Sequence, residues 1–241
     1  MLSSPKRLNS SAQIAIAITG VPKGTGYLAF RDLPKILEDH VKGTEALDVG
    51  CGSGRSTKFL KALGYNVIGI DNSNKMISKA KEEDPTGDYR LITDEEIEWP
   101  VEGQQFDLIM FSFVLLECRS KEKIIELLKK AKNHLNESGV IVISSTTEEA
   151  YKHDWLSMGT DFPENASPQS GDIVKIFLKD YNFEIKDFFW TDNDYRNCFE
   201  NSGLNLLWTY NPLGNQADGK PWINEKSIAP FTIYVTKNKP G

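Results

Sequence analysis

The sequence predicts an α/β fold, a mostly parallel β-sheet covered by helices on both faces. Three observations carry that expectation. Short apolar runs alternate with amphipathic stretches as far as residue 147, the rhythm of strands joined by crossover helices. The segments 45–49, 66–70 and 139–144 have the length and apolar character of buried strands. Gly50, Gly52 and Gly54 follow the first of these and precede a helical stretch, so a strand, a bare-backbone turn and a helix N-terminus stand in succession.

The elements follow in order. Asp32-Leu33-Pro34 offers a cap and an early-helix proline for a helix reaching about Val41. Residues 45–49 form the first strand, a helix over 55–63 is closed by Gly64, and 66–70 form the second strand. Ser73 can cap a helix running to about Glu82. Third and fourth strands are expected over 89–92 and 106–111. Ile124, Ile125, Leu127, Leu128, Ala131 and Leu135 recur at helical spacing across 121–135, and 139–144 supply the fifth strand. Beyond Ser145 the periodicity lapses. Residues 154–172 carry prolines, glycines and isolated aromatics, which predicts a loop or lid. Regular structure resumes with a strand over 183–189, a helix capped by Thr191 or Asp192, a turn at Gly203, a strand over 204–210 and a last strand over 231–236.

Composition narrows the function classes. With 241 residues, 39% apolar and 26% charged, the chain can bury one large core but not two full enzymes. The net charge of -6, from 34 acidic against 28 basic residues, disfavours nucleic acid as a partner. No apolar run approaches the ~20 residues needed to cross a bilayer. Residues 14–18 are too short for that, end in Thr19-Gly20, and lack the length and exit of a signal peptide. Cys51, Cys118 and Cys198 are odd in number and far apart, which favours a reducing cytoplasm over a disulfide framework. No HxxxH or Cys/His cluster suggests a metal.

The most informative segment is Ala46-Leu47-Asp48-Val49-Gly50-Cys51-Gly52-Ser53-Gly54-Arg55. Its glycines let a ligand approach bare backbone, and Asp48 at the strand end can accept from a ligand ammonium directly or through water. Dinucleotide binding is the sharp rival. A GxGxxG fingerprint starting at Gly50 would need its third glycine where Arg55 stands, so a nicotinamide cofactor is disfavoured.

The motif Asp48-Val49-Gly50-Cys51-Gly52-Ser53-Gly54 resembles the first motif of the class I S-adenosylmethionine-dependent methyltransferases. The likeness continues through Gly69-Ile70-Asp71-Asn72-Ser73 with Met76 and Ala80, through Phe106-Asp107-Leu108-Ile109, and through Gly139-Val140-Ile141-Val142-Ile143, so it covers about 45–147. The resemblance implies a Rossmann-like seven-stranded, mostly parallel sheet with an antiparallel last strand, for which 231–236 is the candidate. It also implies one domain over 1–241: an N-terminal lid or helical segment (1–43), a cofactor-binding core (44–147), a substrate-side insertion or lid (148–190) and the C-terminal part of the sheet (191–241). The implied cofactor is S-adenosylmethionine, with S-adenosylhomocysteine as product.

The resemblance further suggests roles. Gly50, Cys51 and Gly52 form the glycine turn beside Asp48, and Asp71 accepts from both ribose hydroxyls; its alternative role is a helix-capping acid. Asn72 and Met76 flank the adenine. Within Thr93-Asp94-Glu95-Glu96, Glu95 is the candidate acceptor from the adenine amino group, with a solvated charge run as the alternative. Phe111, Ser112 and Phe113 stand at the methionine end, where Phe113 can face a sulfonium; core packing is the alternative for both phenylalanines. Tyr27 and Arg31 resemble an N-terminal lid pair whose arginine reaches the cofactor carboxylate.

Methyl transfer to an activated carbon chiefly needs alignment and exclusion of water, and a base only where the nucleophile must lose a proton. His153, in the irregular segment after the fifth strand, is the candidate base. Trp155, Phe162, Trp190, Tyr195, Trp208, Tyr210 and Trp222 can line a pocket for a planar metabolite or close a small core. These features predict a methyltransferase acting on an O, N or C atom of a small molecule. A non-catalytic adenosyl-cofactor-binding regulator and a tRNA or protein methyltransferase are the competing readings.

Overall fold

The structure is a computed structural model describing residues 23–93 and 99–239. Glu95 and the apolar run at 14–18 lie outside the described residues.

Seven strands make the main sheet: β1 (Glu45–Val49), β2 (Asn66–Asp71), β3 (Asp88–Leu91), β4 (Phe106–Ser112), β5 (Leu135–Thr146), β9 (Leu204–Tyr210) and β10 (Phe231–Asn238). Their order is β3-β2-β1-β4-β5-β10-β9. β1 pairs parallel with β2 and β4, whereas β10 runs antiparallel between β5 and β9. This is the Rossmann-like sheet with an antiparallel last strand. β6 (Met158–Gly159), β7 (Ile173–Leu178) and β8 (Phe183–Phe188) form a separate antiparallel sheet.

Helices cover the main sheet because its strands are apolar on both sides. On one face α1 (Leu28–Arg31), α2 (Leu33–His40) and α3 (Arg55–Ala62) bury Phe30, Leu33, Leu37 and Phe59 against Leu108, Met110, Val140 and Val142. On the other, α5 (Lys121–Asn133) and α6 (Asp192–Asn201) bury Ile124, Leu128, Tyr195 and Phe199 against Ile109, Phe111, Ile141 and Ile143. Between α3 and α5 in sequence, α4 (Asn74–Glu83) packs Ile77 and Ala80 with Tyr89 and Cys51. Ser73 caps α4 through the Met76 amide, and Thr191 caps α6 in a capping box with Asp194.

Two expectations change. Asp32 does not cap α2, because its carboxylate is taken by the Arg31 guanidinium. Leu135 belongs to β5 rather than to the preceding helix. It shares the buried phase of Leu128 and Ala131 but pairs with Phe106 after the helix ends at Asn133. The stretch over 154–172 is mostly loop, as expected, interrupted only by β6 and a turn at Pro163–Asn165, and two buried side chains tie it down. Trp155 is fully buried with its indole donating to the Ala150 carbonyl. The buried Asn165 amide donates to the Thr160 and Lys175 carbonyls and accepts from the Lys175 amide, which fastens the segment to β7. No helix among the described residues is long and apolar enough to cross a membrane.

Candidate functional site

The sheet order reverses between β1 and β4, and open α/β sheets place their ligands outside the carboxyl ends of strands at such a point. Here β1 runs into the glycine turn, whose Gly50 and Cys51 amides donate to the Ile70 carbonyl at 2.8 and 3.0 Å. Gly50 (φ +67°) and Gly52 (φ +53°) are left-handed for different reasons. A side chain on Gly50 would collide with Val114, so that glycine serves packing. Nothing lies within 4 Å of a Cβ built on Gly52, which opens on a cleft. Bare backbone facing open space suits a ligand that must come close, and the position fits the adenosyl cofactor that the motif implies.

Two carboxylates brace this turn. Asp48 is fully buried beneath it; its Oδ2 accepts from the Ser56 and Thr57 hydroxyls at 2.7 and 2.6 Å, in the first turn of α3. Its Oδ1 has no hydrogen-bond partner among the described residues. Burial, helped by the nearby Asp71 charge, pushes the Asp48 carboxyl up to about 6 against the pull of the two hydroxyls. Asp71 ends β2, accepting from the Gly52 amide on Oδ2 and from the Ser73 amide on Oδ1, both at 2.8 Å. Each of these oxygens keeps acceptor capacity beyond its one amide.

The cleft above the turn has a volume of about 720 Å³. Gly50, Cys51, Gly52, Met76, Ser112 and Phe113 line one part of it. Phe113 has φ +63°, a costly conformation for a bulky residue, and its ring meets Phe231 edge to face at 5.3 Å. The opposite wall comes from the insertion: Met158, Ile176, Leu178 and Ile185 with Asp187 among them. Across the mouth, Arg55 donates to the Tyr181 hydroxyl at 3.4 Å. Glu117 opens into the cleft, yet the surrounding protein and the Asp71 charge raise its carboxyl above the usual range.

Several expected residues lie elsewhere. Asp48 contributes beneath the floor and offers nothing directly to the cleft. Phe111 is fully buried in the core on the α5 side, because successive strand residues face opposite sides and Ser112 takes the cleft side. Asn72 is exposed beside Asp71 and does not line the cleft. Tyr27 stacks on Trp222. Arg31 is committed to Asp32 and Asp218 at 2.7 and 3.0 Å and to the Leu213 carbonyl, so it does not reach in. His153 pairs with Glu149 at 2.9 Å and packs edge-on against Trp155, outside the cleft. Trp155, Trp190, Tyr195 and Trp222 are core residues rather than pocket walls. Among the described residues no group of three or more His, Cys, Asp or Glu could hold a metal ion.

Sequence reasoning missed Asp187. It shares strand parity with Ile185 and Phe189, so an acid in an otherwise apolar phase was the available signal. Phe30 and Phe231 were equally unmarked, since they come from segments far apart in sequence.

Comparison with known proteins agrees with this geometry. Residues 46–139 match a family model described as a methyltransferase domain. An "uncharacterized methyltransferase" of Alkaliphilus oremlandii is 32% identical over 161 residues, covering 62% of this chain and 72% of that protein. A demethylmenaquinone methyltransferase of Staphylococcus aureus is 34% identical over 111 residues, and the match spans 44% of this chain and under half, 45%, of that relative. A crystal structure of an S-adenosylmethionine-dependent methyltransferase from Clostridium acetobutylicum shares the fold, with a TM-score of 0.61 at 16% identity over 96% of this chain and 99% of that one. A glycine turn open to a cleft at the sheet's switch point, an acid ending β2 and these likenesses converge: the chain belongs to the class I S-adenosylmethionine-dependent methyltransferases.

Proposed function

We propose that the acceptor of the methyl group is a small molecule, methylated on an O, N or C atom between the glycine turn and the β7–β8 sheet. The observation that carries this reading is the continuous cleft of about 720 Å³, with bare backbone at one end and an apolar wall at the other. That volume lies within the ~300–1,000 Å³ range of small-molecule sites. When bound, S-adenosylmethionine supplies a methyl carbon made electrophilic by its positive sulfur.

The chain's own residues do the rest. Gly50, Cys51 and Gly52 admit the cofactor, Asp71 accepts from its ribose, Met76 borders the adenine, and Ser112 with Phe113 border the reacting end. The 148–190 insertion forms the acceptor side and excludes water. The acidic balance speaks against nucleic acid. Three free, buried cysteines support a cytoplasmic setting.

Calorimetry should give micromolar binding of S-adenosylhomocysteine, about 7–8 kcal/mol. A metabolite screen read by S-adenosylhomocysteine release then tests the acceptor class. Turnover with tRNA or protein alone would overturn the small-molecule reading, and binding with no turnover on any acceptor would favour a regulator.

A further inference from the structure

The walls of the cleft carry more negative than positive charge. Glu117, Asp180, Glu184 and Asp187 face Arg55 and Lys186. Asp187 differs from the other three acids in being buried, on β8 opposite Val174 and in the phase of Ile185. Its Oδ2 accepts from the Tyr151 hydroxyl at 3.1 Å, and that hydroxyl also meets the Thr146 Oγ1 at 2.9 Å. The carboxylate is thereby held in one orientation from β5 and the 148–151 turn. Its Oδ1 has no protein hydrogen bond among the described residues, although the side chain lines the cleft. The aromatic rings of Phe30, Phe113 and Phe231 share that space.

We propose that the acceptor is an organic amine with an apolar body, drawn in as its ammonium, and that Asp187 receives the nitrogen's proton when the methyl group is transferred. This rests on the methyltransferase reading above and narrows it. An ammonium satisfies the one lone carboxylate oxygen in the apolar wall with a charge-assisted hydrogen bond, and aromatic faces favour a cation. A neutral alcohol gains nothing from the net negative wall, and a carboxylate or phosphate acceptor is repelled by it.

Asp187 Oδ1 takes one proton from the ammonium, and the freed nitrogen lone pair forms the N–C bond. The C–S bonding pair passes to sulfur, leaving neutral S-adenosylhomocysteine. The product is the N-methyl ammonium, and Asp187 later gives its proton to solvent. Asp187 suits the role because burial and the Glu117 charge, outweighing the Tyr151 hydrogen bond, bring its carboxyl up to about 6, close to neutrality. The groups coupled to it are Glu117 from the 115–117 turn, Tyr151 from the 148–151 turn and Tyr195 from α6, with Lys186 its neighbour on β8. Among the described residues Lys186 forms no ion pair with it, and Tyr151 donates the hydrogen bond it accepts.

The test uses the full chain saturated with S-adenosylhomocysteine and three probes with one aromatic body: phenethylamine, 2-phenylethanol and 3-phenylpropionate. The amine should bind roughly tenfold or more tighter than either partner, the scale of one charge-assisted bond. In the unaltered protein its affinity should fall as pH drops through about 6, while that of the alcohol stays level. Asp187→Asn should abolish both the preference and the pH dependence. Alcohol or carboxylate binding as well as the amine, no amine binding to the loaded protein, or a preference surviving in Asp187→Asn would each overturn the proposal. The pH series on the unaltered chain decides the matter even if that variant fails to fold. Failure of S-adenosylhomocysteine itself to bind would instead strike at the methyltransferase reading.

Discussion

Replacing Asp71 by Asn tests whether one carboxylate both shapes the glycine turn and serves the nucleoside. In the structure its two oxygens accept from the Gly52 and Ser73 amides at 2.8 Å each. An Asn side chain has one acceptor oxygen and one NH₂ group, so one of the two amides must face a donor whichever way it turns. Losing a charge-assisted bond costs about 1.5–3 kcal/mol, which lowers the melting temperature of a domain this size by roughly 3–12 °C. A simple cap predicts no such loss, since Asn caps helices about as well as Asp. Affinity for S-adenosylhomocysteine should fall roughly tenfold to a hundredfold as the ribose loses its anionic acceptor. Thermal unfolding and calorimetry on the folded variant check both effects. An unchanged melting temperature would refute the bracing role, and unchanged affinity would remove Asp71 from the ribose site.

Other outcomes follow from the same geometry. Gly52→Ala should cost about 1–2 kcal/mol for its left-handed backbone and weaken S-adenosylhomocysteine by placing a methyl in the cleft, whereas Gly50→Ala should be worse for folding because of Val114; equal melting of the two variants contradicts this. Arg31→Met leaves Asp218 buried without its cation and should destabilise by about 3 kcal/mol, with affinity for S-adenosylhomocysteine retained; lost affinity in a folded variant would restore a lid role to Arg31. Burial raises the Asp194 carboxyl, but donors from Ser170, Thr191 and Lys121 outweigh it and hold the group down to about 2. A depressed carboxyl contributes stability above its usual value near ~4 that is lost as pH falls towards 2, here on the order of 2 kcal/mol. Denaturant unfolding at neutral and acid pH should show a smaller acid loss in Asp194→Asn, and an identical loss would exclude that role. Asp48 and Asp187, both raised to about 6, act with the opposite sign: protonating them in the folded state adds stability as pH falls from about 6 to about 4.

Local and nearly local chemistry made much of this protein legible from sequence. Strand, glycine turn and helix follow one another at Asp48, Gly50, Gly52 and Arg55, and apolar runs of strand length separated by amphipathic helices leave few ways to build a sheet. Ser73 and Thr191 announce their helices because a cap bonds within three residues of itself. What sequence could not decide depended on partners distant along the chain. Arg31 was free to be a lid residue until Asp218, far along the chain, claimed it. Phe111 and Phe113 are two residues apart, but the end of β4 and a left-handed backbone send one into the core and the other into the cleft. The irregular composition of 154–172 concealed Asn165, whose amide fastens that segment to β7. Asp187 looked like any acid in a half-polar strand. Only the approach of Tyr151, Glu117 and the apolar wall turned it into a buried carboxylate facing the cleft, because desolvation and hydrogen bonding are properties of the assembled surroundings rather than of the residue.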